Sequence, residues 1–355
     1  MNQLKALLNP ISLNLGYYFG DKLTYPCSVF YLPQATFFNV GQGDMSLFIS
    51  STGTAFLIDC CVNNNTVDSF AQRIALKLNE CNLQKIDCFI ITHFHQDHYN
   101  GCGALLDVLK NKYSVTVKYV LVPWSMSHLF YQNNKLPKVK RLLRSFYASY
   151  RPHIRSISEN YLILNNPNSI VFCCAPSKNE QARKINLKNQ NLNSIVTFIL
   201  ENNVLKQPVL YIFPGDADKY HILGYLKEFI KYTQANTKNI YYLLLSIEKV
   251  VLKVSHHGSK TGTDQKLLEE IQNLIIHHCI YNDCFSESVP KISFVSCGDH
   301  NRYNHPHKEV INYLNDTHPS FSNYASSCSN TRKINNLLKK ERKSKLNLVM
   351  YQFES

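Results

Sequence analysis

The chain has 355 residues, of which 45% are apolar, 12% aromatic and 18% charged; this composition excludes a mostly disordered chain, a coiled coil and a collagen-like fibre. Lys and Arg number 38 against 25 Asp and Glu, a formal balance of +13, which favours polyanionic partners such as nucleic acid, acidic headgroups or phosphorylated small molecules. No apolar run approaches the ~20 residues that span a bilayer. Asn9, Pro10, Ser12 and Asn14 interrupt any signal-like core, and twelve cysteines without a C-x-x-C pair read as small apolar residues of a reducing cytoplasm.

Residues 1–34, rich in Pro, Gly and Tyr, are predicted to be an irregular N-terminal extension. ATFFNV (35–40) reads as a strand running into the Gly-rich turn Gly41-Gln42-Gly43-Asp44. SLFIS (46–50) and TAFLID (54–59) follow as strands joined by the hairpin turn Ser51-Thr52-Gly53. Val67, Phe70, Ile74 and Leu78 recur at helical spacing behind Asn65 or Thr66 and predict a helix over 66–80. IDCFIIT (86–92) is a continuous apolar run, the mark of a strand covered on both faces. A helix over about 100–111 and the strand VKYVLVP (117–123) come next.

Between 125 and 192 only LPKVKRLLRSFYASY (136–150) has a clear period, that of a basic amphipathic helix with Lys138, Lys140, Arg141 and Arg144. SIVTFIL (194–200) and VLYIFPG (209–215) predict strands, with a helix after Asp216. VVLKVS (250–255) is a strand, 264–276 a helix, KISFVSC (291–297) a strand, and a helix opens near Pro306. SNYASSCSN (322–330) reads as a polar linker, and LNLVMYQF (346–353) as a last strand behind the cationic stretch 339–345. Strands followed by helices in both halves predict two sheets packed face to face with helices outside.

The residues that carry chemistry cluster in T-H-F-H-Q-D-H (92–98), directly after the buried strand. His93, His95, Asp97 and His98 offer imidazole and carboxylate donors suited to a divalent transition metal. A loop leaving a strand end can turn such side chains onto one point.

This H-x-H-x-D-H turn resembles that of the metallo-β-lactamase superfamily. Asp59 in FLID, Gly215-Asp216 in YIFPGD and His256-His257 in VSHHGSKTGT follow in that family's order. Within the superfamily the chain is similar to the hydrolase domains of ComEC-type DNA-uptake proteins. FFNVGQGD, NLNSIV (191–196), VSHHGSKTGT and SCGDHNRYNHPHKEVINYL carry that likeness. It covers roughly 35–320 and implies one αββα sandwich over 35–355, two mixed β-sheets with helices outside, with 321–355 as linker and last strand.

The resemblance also implies a site. One ion would sit by His93 and His95, a second by Asp97, His98 and His256 or His257, and Asp216 would bridge them. His256, nearest the strand end, is expected to ligate, and His257 to donate to substrate oxygen or act as general acid, because strand alternation points them opposite ways. Water between two cations ionises near neutral pH and attacks an electrophile, with Asp97 among the groups that carry catalysis. The family's usual third histidine for the first ion has Asn193-Ser194 in its position here. Asp59 is expected to orient a ligand histidine. Asp44, Ser259, Lys260, Asn301, Tyr303 and His305 are expected to line the substrate or support the ligands. Zn2+, or alternatively Mn2+, one or two ions, is the expected cofactor. The function implied is metal-dependent hydrolysis of phosphodiesters, a nuclease-type activity on DNA or RNA. A small-molecule phosphodiesterase or esterase, and a catalytically weak nucleic-acid-binding module of the same fold, are the alternatives. Oligomeric state has no signature in the sequence.

Overall fold

The computed structural model describes residues 33–126, 153–166, 168–183, 187–202, 208–236, 244, 247, 249–279, 291–297, 304–316, 321–325 and 350–354. The first sheet contains β1 (Gln34–Phe38), β2 (Ser46–Ile49), β3 (Ala55–Ile58), β5 (Lys85–Ile90), β6 (Thr116–Pro123), β7 (Ile154–Ile157) and β15 (Met350–Glu354), while β4 (Cys60–Cys61) makes only isolated bridges. The second contains β8 (Tyr161–Asn166), β9 (Ser169–Cys174), β10 (Val196–Asn202), β11 (Pro208–Phe213), β12 (Lys249–Lys253), β13 (Lys291–Val295) and β14 (Phe321–Ala325). Their strand orders are β15-β1-β2-β3-β5-β6-β7 and β14-β13-β12-β11-β10-β9-β8. Both sheets are mixed: β1-β2-β3 and β8-β9-β10-β11 run antiparallel, β3-β5-β6-β7 and β11-β12-β13-β14 parallel.

Side-chain alternation along these strands builds three apolar layers. Phe37, Phe48, Phe56 and Ile90 face inward and meet Ile199, Tyr211, Val251 and Phe294 of the other sheet. Phe37 stacks on Phe294 at 3.9 Å between centroids, and Phe48 meets Tyr211 edge-on at 4.9 Å. The alternate residues Phe38, Leu47, Leu57 and Phe89 face outward onto helices α1 (Val67–Glu80) and α3 (Cys102–Tyr113). On the far side Phe198, Leu210, Ile212 and Leu252 pack against α5 (Lys219–Asn236) and α6 (Gln265–Cys279). The order helices, sheet, sheet, helices is the predicted αββα sandwich.

The carboxyl ends of the parallel strands gather at one edge, where the chain leaves β3 at Asp59, β5 at Thr92, β11 at Gly215 and β12 at Val254. Open α/β sheets place their sites outside such ends.

Two differences from the sequence reading concern the fold. The hairpin β8–β9 lies in the stretch where periodicity predicts only one helix. Its signal is Asn166, whose Oδ1 accepts from the N–H of Asn168 and Ser169 at 2.9 and 2.8 Å. Residues 321–325 of the expected linker region form β14, added in parallel to β13 by backbone pairing; a Ser/Asn-rich strand has little intrinsic β signal and depends on its partner. The last strand pairs with β1 in parallel, as Met350–Glu354. The basic helix expected at 136–150, and residues 1–32, lie outside the described residues.

A buried acid marks the opposite edge. The N–H and hydroxyl of Ser51, in the β2–β3 turn, donate to Glu201 at the end of β10, and burial pushes this carboxyl up to about 7. A folded value above the unfolded one means that the unfolded chain loses its proton first. Stability from this group is therefore highest below about pH 4.5 and falls until about pH 7. Glu201→Gln cannot ionise. The difference in unfolding free energy between wild type and variant is expected to change by about 3 kcal/mol between pH 4.5 and 7.5, read from urea midpoints. A difference that stays constant with pH would disprove this.

Candidate metal centre

The turn after β5 sorts its side chains by face. Phe94 drops into the helix-side core and stacks on Tyr99 at 5.3 Å. His93 and His95 therefore share the other face, their rings 4.8 Å apart. The single helical turn α2 (Gln96–Tyr99) then delivers Asp97 and His98. Gly215 brings Asp216 beside them: it has φ +56°, and a Cβ there would lie 2.7 Å from Cβ of Thr92. Only glycine allows that approach.

Asp216 is buried, and its two oxygens face different imidazoles. Oδ1 lies 3.3 Å from His98 Nε2, whereas Oδ2 lies 3.6 Å from His93 Nε2 and 3.7 Å from His256 Nε2. His93 Nε2 is 3.1 Å from His95 Nδ1, and His257 Nε2 is 3.2 Å from Asp97 Oδ2. Donors at ~2.1 Å from a tetrahedral ion stand ~3.4 Å apart, and these separations bracket that value. His98 Nε2 and Asp216 Oδ1 are buried without a hydrogen-bond partner, which is costly unless something between them accepts both lone pairs. His93, His95 and Asp216 could hold one ion, and Asp44, His98, Asp216 and His257 enclose a second position, with Asp97 3.2 Å from His257 Nε2.

The imidazoles are oriented from behind. His98 Nδ1–H donates to Asp59 Oδ2 at 2.8 Å, and the Thr92 hydroxyl donates to the same carboxylate at 2.8 Å. Thr92 Oγ1 in turn accepts from His93 Nδ1–H at 3.2 Å. One carboxylate, Asp59, thus fixes both rings with Nε2 pointing at Asp216. His257 Nδ1–H donates to the carbonyl of Ser296 at 2.9 Å, leaving its Nε2 towards Asp97. Such outer partners set tautomer and aim.

Asp44 also approaches these rings, 3.8 Å from His98 Nδ1 and 3.9 Å from His257 Nδ1. Those nitrogens are already engaged, so Asp44 stands behind the imidazoles. Its carboxylate pairs with Lys253 and accepts from the Ser296 hydroxyl, all three groups buried. The sequence signal for Lys253 is a cation inside the otherwise apolar strand VVLKV.

Charge state follows from this enclosure. Burial works against ionisation of Asp216, but His98 and His93 hold its carboxyl well below the usual range. Burial likewise opposes the imidazolium of His98, yet Asp216 and Asp59 raise it well above its ordinary value. Burial, with His98 adding to it, keeps His93 well below its own. Burial opposes ionisation of Asp97 too, and its bond with His257 keeps that carboxyl low.

The two adjacent histidines depart from expectation. The chain leaves strand geometry at Ser255, and His256 (φ 50°, ψ 49°) and His257 (φ 52°, ψ 24°) are both left-handed. Alternation does not apply, and both rings turn towards Asp216. It is His257, 2% exposed, that meets Asp97, while His256, 27% exposed, lines the opening with Asp97 and His95. Ser194 Oγ accepts from the N–H of Asp216 at 3.2 Å, and Asn193 Nδ2 donates to Gln190 at 3.4 Å. Ser259 Oγ bonds Thr261 within its own turn, at 3.0 Å, while the ring of His305 sits 5.2 Å from that of His256. The N–H of Lys260 donates to His307 Nδ1 at 3.1 Å. Asn301 and Tyr303 lie outside the described residues.

A sandwich with such a turn at its edge is the arrangement that the metallo-β-lactamase resemblance implies. Residues 39–151 match the family model described as the metallo-beta-lactamase superfamily, which the chain therefore resembles over that stretch. Within it the chain resembles ComE operon protein 3 of Bacillus subtilis (strain 168), with 24% identity over 239 residues, 65% of this chain. It spans only about a fifth of that relative's length, the match covering 22% of it. Among solved structures, unliganded yeast PDE1 is similar over 83% of this chain and 96% of its own, at 12% identity and a TM-score of 0.46. A possible metal-dependent hydrolase of Veillonella parvula is similar over 82% and 96%, at 10% identity and a TM-score of 0.38. No helix among the described residues is long and apolar enough to cross a membrane.

Proposed function

We propose that residues 35–355 form one domain that hydrolyses phosphodiesters in nucleic acid with divalent ions held at Asp216. The observation that carries this reading is the division of the Asp216 carboxylate, one oxygen towards His98 and the other towards His93. Zn2+ or Mn2+ suits a thiol-free set of imidazoles and carboxylates. His93, His95 and Asp216 would hold one ion; His98, His257 and Asp216, with Asp97 beside them, would hold the other. Bound there, such ions supply an ionised water near neutral pH and offset the charge that grows on phosphoryl oxygens.

The protein's own contribution is aim and access. Asp59 and the Ser296 carbonyl engage the Nδ1 atoms of His98 and His257 and keep their Nε2 atoms pointed inward. Asp97, with its side chain 32% exposed, and His256, 27% exposed, flank the approach of the substrate. Hydrolysis forms one P–O bond to water and breaks the other, and the departing alkoxide takes up a proton at this opening. The +13 balance and the likeness to a ComE operon protein support a polyanionic substrate. Free thiols at Cys60, Cys61, Cys81, Cys88, Cys102, Cys173, Cys174 and Cys297 support the cytoplasm as its compartment.

The test is turnover of bis-p-nitrophenyl phosphate and of single- and double-stranded DNA and RNA, with each divalent metal in turn. Metal-dependent cleavage of a nucleic acid is expected; cleavage of none, with metal bound, would remove the reading. Affinity for the nucleic acid is expected to fall at least about tenfold between about 50 and 200 mM salt as counterions are released. Salt-independent binding would indicate a small neutral substrate instead.

A further inference from the structure

The open side of Asp216 is bordered by imidazoles that the ion-holding set does not use. His256 lies with Nε2 3.7 Å from Asp216 Oδ2, and Asn191 Nδ2 reaches the same nitrogen at 3.1 Å. The ring of His305 stands edge-to-face against it at 5.2 Å, and that of His307 edge-to-face against His305 at 4.8 Å. The three form a row running outward from the bridging carboxylate.

The row is built in place. Gly258, directly after the paired histidines, has φ +83°, and a Cβ there would lie 2.5 Å from Cβ of Pro306. The loop bearing His305 and His307 is thereby seated on the turn bearing His256. The N–H of His307 donates to the Gly258 carbonyl at 3.0 Å and closes the contact. His307 Nδ1 accepts from the N–H of Lys260 at 3.1 Å, so its hydrogen is on Nε2, facing away from that turn. The row also precedes the first turn of α7 (Lys308–Asp316), whose free N–H groups favour an anion.

Imidazole groups, a helix start and the exposed Lys260 lie together along this row. We propose that His256, His305 and His307 form a subsite for phosphate oxygens of the substrate, beside Asp216. This rests on the reading of the substrate as a phosphodiester. The oxygens belong either to the phosphate being cleaved or to its neighbour along the chain; both offer the same acceptors.

The experiment uses metal-loaded protein with His305 and His307 both changed to Ala, and a second variant with both changed to Gln, whose amide still donates. Metal content is measured first and is expected to equal that of wild type. The dissociation constant of inorganic phosphate, read by calorimetry, is expected to rise about tenfold or more in the Ala variant and less in the Gln variant. If the Ala variant does not fold, the Gln variant against His307→Gln alone gives the same reading. KM for bis-p-nitrophenyl phosphate rises if the subsite holds the cleaved phosphate; KM for an oligonucleotide alone rises if it holds the neighbour. Phosphate binding that is absent from wild type, or equal in all variants at equal metal content, overturns the subsite. A wild type that binds phosphate through these histidines but cleaves no diester upholds the subsite and refutes the proposed function.

Discussion

Asp216→Asn is expected to lose at least one of two bound ions and to lower kcat/KM about a thousandfold or more. The amide keeps the volume and one acceptor oxygen, so the strand end and the Ser194 contact to its backbone survive. What it removes is the charge and the second oxygen. His93 and His95 then have no anionic partner for an ion on the Oδ2 side, and His98 faces an amide where it faced a carboxylate. Neutral imidazoles bind a divalent cation more weakly when no anion shares the site. An ion contributes several kcal/mol to transition-state charge stabilisation, and each ~1.4 kcal/mol is tenfold in rate, so losing ~4 kcal/mol gives the thousandfold figure. Metal content by mass spectrometry and turnover of bis-p-nitrophenyl phosphate are the measurements, with far-UV circular dichroism as the control for folding. Two ions retained with turnover within threefold of wild type would show that Asp216 is not the shared ligand.

Much of this centre is legible in the sequence because its parts are strand-end loops with chemistry-bearing residues in them. FLID, THFHQDH, FPGD and SHHG each interrupt an apolar strand at the edge where parallel strands end. Their apolar neighbours predict the strands, and the polar residues predict what the strands carry. The pairing of His256 and His257 is less legible. Period-two alternation holds only while φ stays negative and extended, and two left-handed residues in succession turn both rings towards one point. Non-glycine residues take that conformation at a cost that the surrounding structure must cover, and such positions cluster at functional sites. The β14 strand fails for a different reason: Phe321–Ala325 is paired by its neighbour, and no property of its five residues announces that neighbour. The role of Lys253 is not legible because nothing within its strand points to its partner, 209 residues earlier.

That partner makes Lys253→Met the most disruptive single change expected outside the ligands themselves. Asp44 and Lys253 are 3% and 5% exposed, and they join the loop after β1 to the end of β12, one from each sheet. Methionine matches the aliphatic stem and removes only the ammonium. The carboxylate left behind keeps the Ser296 hydroxyl but stays buried without its ammonium partner. Breaking a buried pair from one side costs about 3–5 kcal/mol, which lowers Tm by on the order of 10 °C in a domain of this size. Replacing both partners, as Lys253→Met with Asp44→Leu, removes the stranded charge and is expected to recover most of that loss. The cost and recovery together form a double-mutant cycle, read by calorimetric melting of the apo-protein, with a coupling of about 2 kcal/mol or more. A single variant within ~0.5 kcal/mol of wild type would mean the pair is not buried as described. The double variant has a second readout: Asp44 stands 3.8 and 3.9 Å behind the rings of His98 and His257. A stable double variant with weakened metal affinity would therefore locate the value of this ion pair in the field it imposes on those two imidazoles, rather than in the stability of the sandwich.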